Sequence, residues 1–351
     1  MRTLYPNRTR RPPADEPETL ADAIAGNVIG QPAAVESIVR YVEMYQAGLA
    51  PEGRPAGVFL LLGPSGTGKT KTVEALAAAL HGSEKSLLRI DCGEFQMEHE
   101  VAKLIGAPPG YLGHRETHPL LTQAKLNAVT TERSSLSLVL FDEIEKAAPS
   151  MTRLLLGVLD KAALRLGDNT TVSFERAMIF LTSNLGAREM LRVLNPGFGF
   201  ESVARHPGQV EKKLERIGIN AVRRKFPPEF VNRLDSVVTY QPLDQASLNR
   251  ILDIQLEQLQ GHLDTRLGPR SFTVEVTAAA REFLLARGTS AEYGARELKR
   301  VILRHVTQPL ASAVARKRVE PGSTVVVGLA PDASSLELDF GPDAPRRRRS
   351  A

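Results

Sequence analysis

A short loop early in the chain carries the residue types that bind phosphate: Gly63-Pro64-Ser65-Gly66-Thr67-Gly68-Lys69-Thr70. An apolar run at residues 58–62 precedes it, and an Ala-rich stretch of good helix propensity follows at residues 72–80. The glycines let backbone N–H groups turn inward into an anion nest, to which the N-terminus of the following helix adds its positive end. A plain glycine turn would not need the Lys-Thr pair. The pattern predicts a nucleoside triphosphate site, with Lys69 on the β- and γ-phosphates and Thr70 on Mg²⁺.

Two acidic residues follow another apolar run. Residues 136–141 are predicted to form a buried parallel strand, and Asp142 and Glu143 come directly after it. A carboxylate at the carboxyl end of such a strand can bind Mg²⁺, directly or through water. A glutamate beside it can orient and deprotonate an attacking water, which favours hydrolysis over transfer to another acceptor. Two acids at a strand exit are common, but about seventy residues after a phosphate loop they predict a P-loop ATPase.

The elements that position these residues are predicted from apolar runs. The predicted strands of the first part of the chain are residues 58–62, 87–91, 136–141 and 177–182. Helical patterns alternate with them, including residues 94–104 and 120–129. This alternation predicts an α/β fold, in which a mainly parallel sheet is covered by helices on both faces.

The pattern changes near residue 243. Asp244 is predicted to cap a long helix, and Pro309 should kink or break a later helix over residues 295–317. A final strand is predicted at residues 336–340. The expected domains are a disordered basic, Pro-rich tail at 1–19, a large ATPase domain at 20–242, a small α+β domain at 243–330, and a terminal strand with an Arg-rich tail at 331–351.

The net charge of +5 is concentrated at the two ends of the chain. Four arginines lie within residues 1–14 without an acid, and four more occupy residues 346–349. The body between them therefore carries a net charge of −3. A body of this charge is not a basic nucleic-acid-binding surface, so we do not expect nucleic acid as a partner.

The sequence also restricts the compartment. No apolar run is long enough to span a bilayer, and the N-terminus carries no hydrophobic signal segment. Cys92 is the single cysteine, so no disulfide framework is expected, and it follows a predicted strand with no His paired to it in sequence. We expect a cytoplasmic protein with no membrane partner.

Five motifs sharpen this interpretation. They are Ile105-Gly106-Ala107-Pro108-Pro109-Gly110-Tyr111-Leu112-Gly113, Phe141-Asp142-Glu143-Ile144-Glu145-Lys146-Ala147, Thr182-Ser183-Asn184-Leu185-Gly186, Pro228-Glu229-Phe230-Val231-Asn232-Arg233-Leu234-Asp235 and Gly294-Ala295-Arg296-Glu297-Leu298-Lys299-Arg300. In order and spacing they resemble the second ATPase module of the Clp-type AAA+ unfoldases ClpA, ClpB and ClpC. The resemblance implies an AAA+ fold with a five-stranded parallel sheet and a smaller C-terminal α+β domain. It also implies ATP and Mg²⁺ as cofactors, a homo-oligomeric ring, most simply a hexamer, and a protein substrate.

The resemblance further implies roles for residues outside the phosphate loop. Asn184 matches the sensor that helps place the attacking water; the alternative is an ordinary turn asparagine. Arg233 matches the arginine finger, which reaches the γ-phosphate of a neighbouring subunit and stabilises charge in the transition state. The alternative for Arg233 is a surface salt bridge to Asp235.

Three more residues of the nucleotide site are implied in the same way. Arg296 matches the second sensor, which touches the γ-phosphate in cis and couples nucleotide state to the angle between the domains; the alternative is an arginine on a helix surface. Val28 and Ile29 match the adenine-contacting segment, although both could simply be core residues.

Tyr111 is the functional residue implied beyond the nucleotide. In the family, its loop lines the axial pore of a hexamer, and the aromatic ring grips a threaded polypeptide. Flanking glycines let such a loop move while the ring presses on any side chain, which suits sequence-tolerant grip. The alternative is a tyrosine packed in a turn.

The chain also departs from the family. Residues 114–118 replace an acidic, glycine-rich stretch, and residues 161–168 lack the usual Gly-Arg-Leu pattern, which leaves the substrate type open. Phe198 stands where peptidase-docking members carry an aliphatic residue before Gly-Phe, so a peptidase partner and a plain apolar anchor both stay open. With no first ATPase module, a stand-alone single ring is expected. The predicted function is an ATP-driven protein unfoldase; the alternatives are a nucleotide-gated adaptor or scaffold, or the unfoldase component of a protease.

Overall fold

The computed structural model describes residues 19–106, 119–194, 207–289 and 294–340. The large domain contains the strands β1 Gly57–Leu62, β2 Leu88–Asp91, β3 Ser137–Asp142, β4 Ala163–Arg165, β5 Thr171–Ser173, β6 Ala177–Ser183 and β7 Ser236–Thr239. Its helices are α1 Leu20–Ala25, α2 Pro32–Gln46, α3 Lys69–His81, α4 Ala102–Ile105, α5 Gln123–Ala128, α6 Pro149–Lys161, α7 Ala187–Leu194, α8 Pro207–Lys225 and α9 Pro228–Val231.

The main sheet is parallel and five-stranded, in the order β2-β3-β6-β1-β7. Every residue of β1, β3 and β6 is buried, because helices cover both faces of the sheet. Strands covered in this way are continuous apolar runs, which is why the sequence marks them so clearly. The predicted α/β fold with a five-stranded parallel sheet is confirmed. The edge strand β7 has no comparable apolar run, since only two of its four residues are apolar.

Two predicted helices are shorter than expected. Residues 94–104 form 3₁₀ turns at Cys92–Glu94 and Glu98–Val101 and then the short α4, because Met97 between them has extended backbone angles (φ −101°, ψ 144°). Phe95, beside this break, is buried in the core. The helix expected over residues 120–129 begins only at Gln123, where the Thr122 hydroxyl caps it by accepting from the Lys125 N–H.

The small domain packs helices on a mixed three-stranded sheet. Its elements are α10 Gln245–Leu267, β8 Thr273–Val276, α11 Ala278–Gly288, α12 Ala295–Ile302, α13 Gln308–Ala315, β9 Thr324–Leu329 and β10 Leu336–Asp339. β9 pairs with β8 in parallel and with β10 antiparallel, so the final strand belongs to this sheet. Asp244 caps α10, as the sequence predicts, by accepting from the Ser247 N–H at 2.8 Å.

Pro309 changes the helix upstream of itself. Leu303–Thr307 is a π-helical turn between α12 and α13, and Pro309 lies in the first turn of α13. Proline has no N–H to donate to the preceding turn, and the wider turn before it accommodates this loss without ending the helical path. Within the described residues, no helix is both long and apolar enough to cross a lipid bilayer.

Candidate active site

The phosphate loop joins the buried strand β1 to α3, which begins at Lys69. Gly68 precedes it at φ 105°, a backbone conformation that favours glycine. The N-terminus of α3 therefore faces the loop, as the strand–loop–helix pattern predicts.

Lys69 is buried and lies at the centre of the loop's hydrogen bonds. Its Nζ donates to the carbonyl oxygens of Gly63 (2.7 Å) and Pro64 (2.9 Å) and to Asn184 Oδ1 (2.9 Å). Burial lowers the pKa of Lys69 to about 8, and nearby Glu145 opposes this effect while Arg296 adds to it. The ammonium is thus charged at neutral pH but loses its proton at mildly alkaline pH.

This pKa predicts that nucleotide affinity depends on pH. Tight binding of a polyphosphate needs the charged ammonium. The dissociation constant for ATP should therefore rise as pH passes the pKa that Lys69 has in the nucleotide-free protein. Between pH 7 and pH 9 the expected rise is about tenfold. Titration with a fluorescent ATP analogue measures it. Lys69→Arg is the control, because a guanidinium stays protonated over this range and its affinity should be flat; parallel pH profiles for the two proteins would contradict the prediction.

Asp142, the last residue of β3, has both carboxylate oxygens engaged. The Thr182 hydroxyl donates to Oδ1 and Arg89 donates to Oδ2, each at 2.5 Å. Arg89 and Thr182 were not predicted as site residues. Thr182 is the sixth residue of an apolar strand, but Arg89 is a charged residue within a predicted strand, a pattern that could have marked it.

Glu143 follows in the left-handed region (φ 56°, ψ 50°), which is rare for a non-glycine residue and is found often at functional sites. Its N–H donates to the Thr182 hydroxyl at 3.0 Å, which fixes this turn. Its side chain accepts from Asn184 Nδ2 at 3.2 Å and from Lys146 Nζ at 2.5 Å. Asn184 thus accepts from Lys69 and donates to Glu143, so its side chain bridges these two residues.

A second glutamate, which the sequence did not single out, supports Asn184. Glu145 Oε1 accepts from the Asn184 N–H at 3.0 Å. Its Oε2 is buried and makes no hydrogen bond within the part of the chain that the structure describes. Glu145 is also the strongest charge partner that favours the ammonium form of Lys69. It therefore connects the phosphate loop with the end of β6.

The small domain closes the site from the other side. The Ala295 N–H, at the start of α12, donates to the Gly66 carbonyl of the phosphate loop at 3.2 Å. Arg296 and Lys299 line the same cavity, whose volume is about 360 Å³. The loop residues from Ser65 to Thr70 line it as well, together with Asp142, Glu143 and Asn184. One end of the cavity is therefore strongly charged.

Apolar side chains line another part of the cavity. They are those of Val28 and Ile29, and of Leu243, Ile251 and Ile254 from the domain junction and α10. Val28 also packs in the core, so it is a core residue that borders the cavity. The buried Gln31 connects this part to the loop, since its Nε2 donates to the carbonyls of Thr67 (3.3 Å) and Gln241 (2.7 Å). The arrangement suits a ligand with an aromatic base and a polyphosphate.

Comparison with known proteins agrees with this geometry. Residues 54–237 match the family model of the AAA domain (Cdc48 subfamily). The chain belongs to the AAA+ ATPase family. Residues 243–327 match the model of the C-terminal D2-small domain of ClpB protein, which confirms the resemblance to a Clp-type second ATPase module.

Several relatives of this AAA+ module are chaperones. It is 40% identical over 322 residues to the chaperone protein ClpB of Rhizobium meliloti and 38% identical over 312 residues to that of Meiothermus ruber. These alignments cover 92% and 89% of the chain and 34% of each relative, so the chain spans about a third of their length.

Solved structures lead to the same family. A closed-state cryo-EM reconstruction of Hsp104 with ATPγS and FITC casein matches at a TM-score of 0.76 and 28% identity, over 92% of this chain and 51% of that one. An extended conformation of the S. cerevisiae Hsp104:casein complex matches at 0.75 and 28% identity, over 91% and 51%.

Three predicted nucleotide-site residues do not line the cavity of this AAA+ module. Gly63 and Pro64 contact Lys69 through their carbonyl oxygens instead. Arg233 makes an ion pair with Asp160 at 2.6 Å instead. The alternative partner, Asp235, accepts from Arg54 and from the Val58 N–H, so the salt bridge from Arg233 to Asp235 is not formed.

The donor set fits Mg²⁺ bound together with a nucleotide. Thr70 and Asp142 line the cavity and present a hydroxyl and a carboxylate, which are hard oxygen ligands. Among the described residues, no group of three or more His, Cys, Asp and Glu could bind a metal by itself. Mg²⁺ commonly uses one or two protein oxygens and completes its shell with phosphates and water, so these two residues suffice.

Two residues of the sequence predictions cannot be placed. Tyr111 and Phe198 lie outside the described residues.

The single cysteine, Cys92, is fully buried. Burial raises the pKa of its thiol, which agrees with a packing role.

Proposed function

We propose that this AAA+ module hydrolyses ATP and uses the energy to unfold or remodel protein substrates, working as a cytoplasmic homohexamer. The observation that carries the proposal is the connected network of Lys69, Asn184 and Glu143 at the charged end of a base-and-phosphate cavity. The proposed whole-protein activity also draws on the similarity to ClpB and Hsp104.

Each residue of the network has a distinct task. Lys69 binds the β- and γ-phosphates, and its carbonyl partners exchange for phosphate oxygens. Glu143 accepts the proton of the attacking water, and Asn184 orients that water while fixing the carboxylate. Arg296 contacts the γ-phosphate from the small domain and so reports nucleotide state to it. Thr70 and Asp142 would hold Mg²⁺, and such an ion would neutralise phosphate charge there.

The site is incomplete within one subunit. Arg233 makes its ion pair outside the cavity of its own subunit, which supports the proposal that it acts as an arginine finger and completes the site of a neighbour. Repeated head-to-tail contacts of this kind close into a ring. A lone subunit should therefore hydrolyse ATP slowly.

The decisive test of the class of activity is stimulation. ATPase activity of the purified chain should rise with an unfolded protein such as casein and should not respond to DNA. If casein has no effect, the chain is a nucleotide-gated adaptor or scaffold; stimulation by DNA would identify a nucleic-acid machine.

Tyr111 provides a separate test of threading. Tyr111→Ala should retain ATP hydrolysis within about twofold and lose most unfolding of a fluorescent reporter, because the nucleotide site is intact while the aromatic grip is removed. Tyr111→Phe is the matched control and should keep both activities. If the alanine variant unfolds the reporter as well as the parent protein does, Tyr111 is not a pore residue that grips the substrate.

A further inference from the structure

The end of α6 carries an acid where a helix does not favour one. Asp160 lies in the last turn of α6, next to the negative end of the helix dipole. A carboxylate at that position gains from a cationic partner. Arg233 provides it, with Nη1 2.6 Å from Asp160 Oδ1.

The backbone around Arg233 is fixed independently of this ion pair. Its N–H donates to the Phe230 carbonyl at 3.2 Å, and Phe230 is fully buried and stacked on Phe226. The Arg233 carbonyl accepts from Arg54 at 3.4 Å. The contact with Asp160 therefore decides the direction of the side chain, not the course of the chain.

The ion pair is too exposed to matter much for folding. The exposed fraction of the side chain is 43% for Arg233 and 35% for Asp160. Ion pairs as exposed as this contribute little to the stability of a protein. A long arginine side chain, however, loses much rotamer freedom when it must act in one direction. A partner that restricts the rotamers before the neighbour arrives reduces that loss.

We propose that Asp160 is a positioning residue for Arg233. It binds one nitrogen of the guanidinium and leaves the other N–H groups for the γ-phosphate of the neighbouring subunit. The inference rests on the proposed function, in which Arg233 acts in trans. Asp160 does not line the nucleotide cavity of its own subunit, and its proposed effect reaches catalysis through Arg233 alone.

Kinetics of the single variants give the first readout. Asp160→Asn should lower kcat about tenfold with KM for ATP unchanged. The reason is that a poorly oriented arginine finger stabilises the transition state less but leaves ATP binding as it was. Asp160→Glu should recover part of the loss. Asp253→Asn, which breaks a comparably exposed ion pair with Arg281 in the small domain, is the matched control and should hydrolyse ATP at the parent rate.

Mixed rings separate positioning from a local structural defect. Each ATPase-competent protein is mixed one to one with Glu143→Gln, whose finger is intact, and is compared with parent protein mixed in the same way. Half of the Asp160→Asn sites then receive an intact finger, so relative activity should rise from about 10% unmixed to about 55% mixed. A defect that acts within the subunit would stay near 10%.

Arg233→Ala in the same protocol tests the proposed function by itself. Its relative activity should rise from nearly zero to about half when mixed, since removing an arginine finger costs on the order of a thousandfold or more. If mixing does not rescue Arg233→Ala, action in trans is wrong. If it does, while Asp160→Asn hydrolyses like the parent or is not rescued, the positioning role of Asp160 is overturned.

Discussion

Glu143→Gln should bind ATP with the affinity of the parent protein and hydrolyse it at least about 100 times more slowly, because a general base of this kind typically contributes 10²–10⁴-fold. Glutamine keeps the length of the side chain and still accepts from Asn184, so the network around the phosphates is retained. It cannot take a proton from water. Single-turnover hydrolysis measures the chemical step, and titration with a fluorescent ATP analogue measures binding.

The matched control is Glu94→Gln, which changes an exposed glutamate close to the end of β2 and should leave both quantities unchanged. Hydrolysis at the parent rate by Glu143→Gln would show that another group is the base.

The Glu143→Gln variant can also serve as a substrate trap. In ATP it should retain casein, and a pull-down from cell extract with it would identify the natural substrate.

The parts of the site that lie along one segment were predictable. Lys69 and Thr70 belong to a loop whose glycines and flanking elements follow one another in the chain, and Asp142 and Glu143 directly follow a buried strand. Central strands covered on both faces are largely continuous apolar runs, so these runs placed them well. The edge strand β7 and the hairpin of β4 and β5 are short and only partly apolar, and they were missed for that reason.

The contacts between segments were not predictable. Three contacts join residues that are far apart in the chain. Arg89 contacts Asp142, 53 residues later, and Glu145 contacts Asn184, 39 residues later. Asp160 contacts Arg233, 73 residues later. No local pattern encodes such pairs, since each depends on which strands and helix ends the fold brings together. The resemblance supplied Arg233 without its partner Asp160.

The junction between the domains is a further feature that only the structure shows. Gly294 comes directly before α12 and has φ 50° and ψ −140°, a region that is almost restricted to glycine. A Cβ added here would lie 2.8 Å from the Ser65 carbonyl oxygen and 2.9 Å from that of Gly66. The small domain thus touches the phosphate loop backbone to backbone. Any side chain at this position must move either α12 or the loop that binds phosphate.

Gly294→Ala should therefore lower kcat about 100-fold, because displacing α12 would remove the contact with the γ-phosphate that we propose for Arg296, and one lost donor to developing charge costs 10²–10³. ATP affinity should fall as well, since the Ala295 N–H to Gly66 contact is lost. Steady-state hydrolysis and nucleotide titration measure the two effects.

Gly268→Ala separates the contact from backbone strain. Gly268, at the end of α10, has nearly the same backbone angles (φ 53°, ψ −123°), but a Cβ there meets nothing within 4 Å. Both variants should lose about 1–3 kcal/mol of stability from backbone strain, seen as a fall in melting temperature, and Gly294→Ala should lose more, because its Cβ also meets two carbonyl oxygens. Only Gly294→Ala should lose hydrolysis. If the two variants hydrolyse ATP equally well, the junction does not position Arg296, and the small domain would have to communicate with the nucleotide through the apolar contacts of α10 instead.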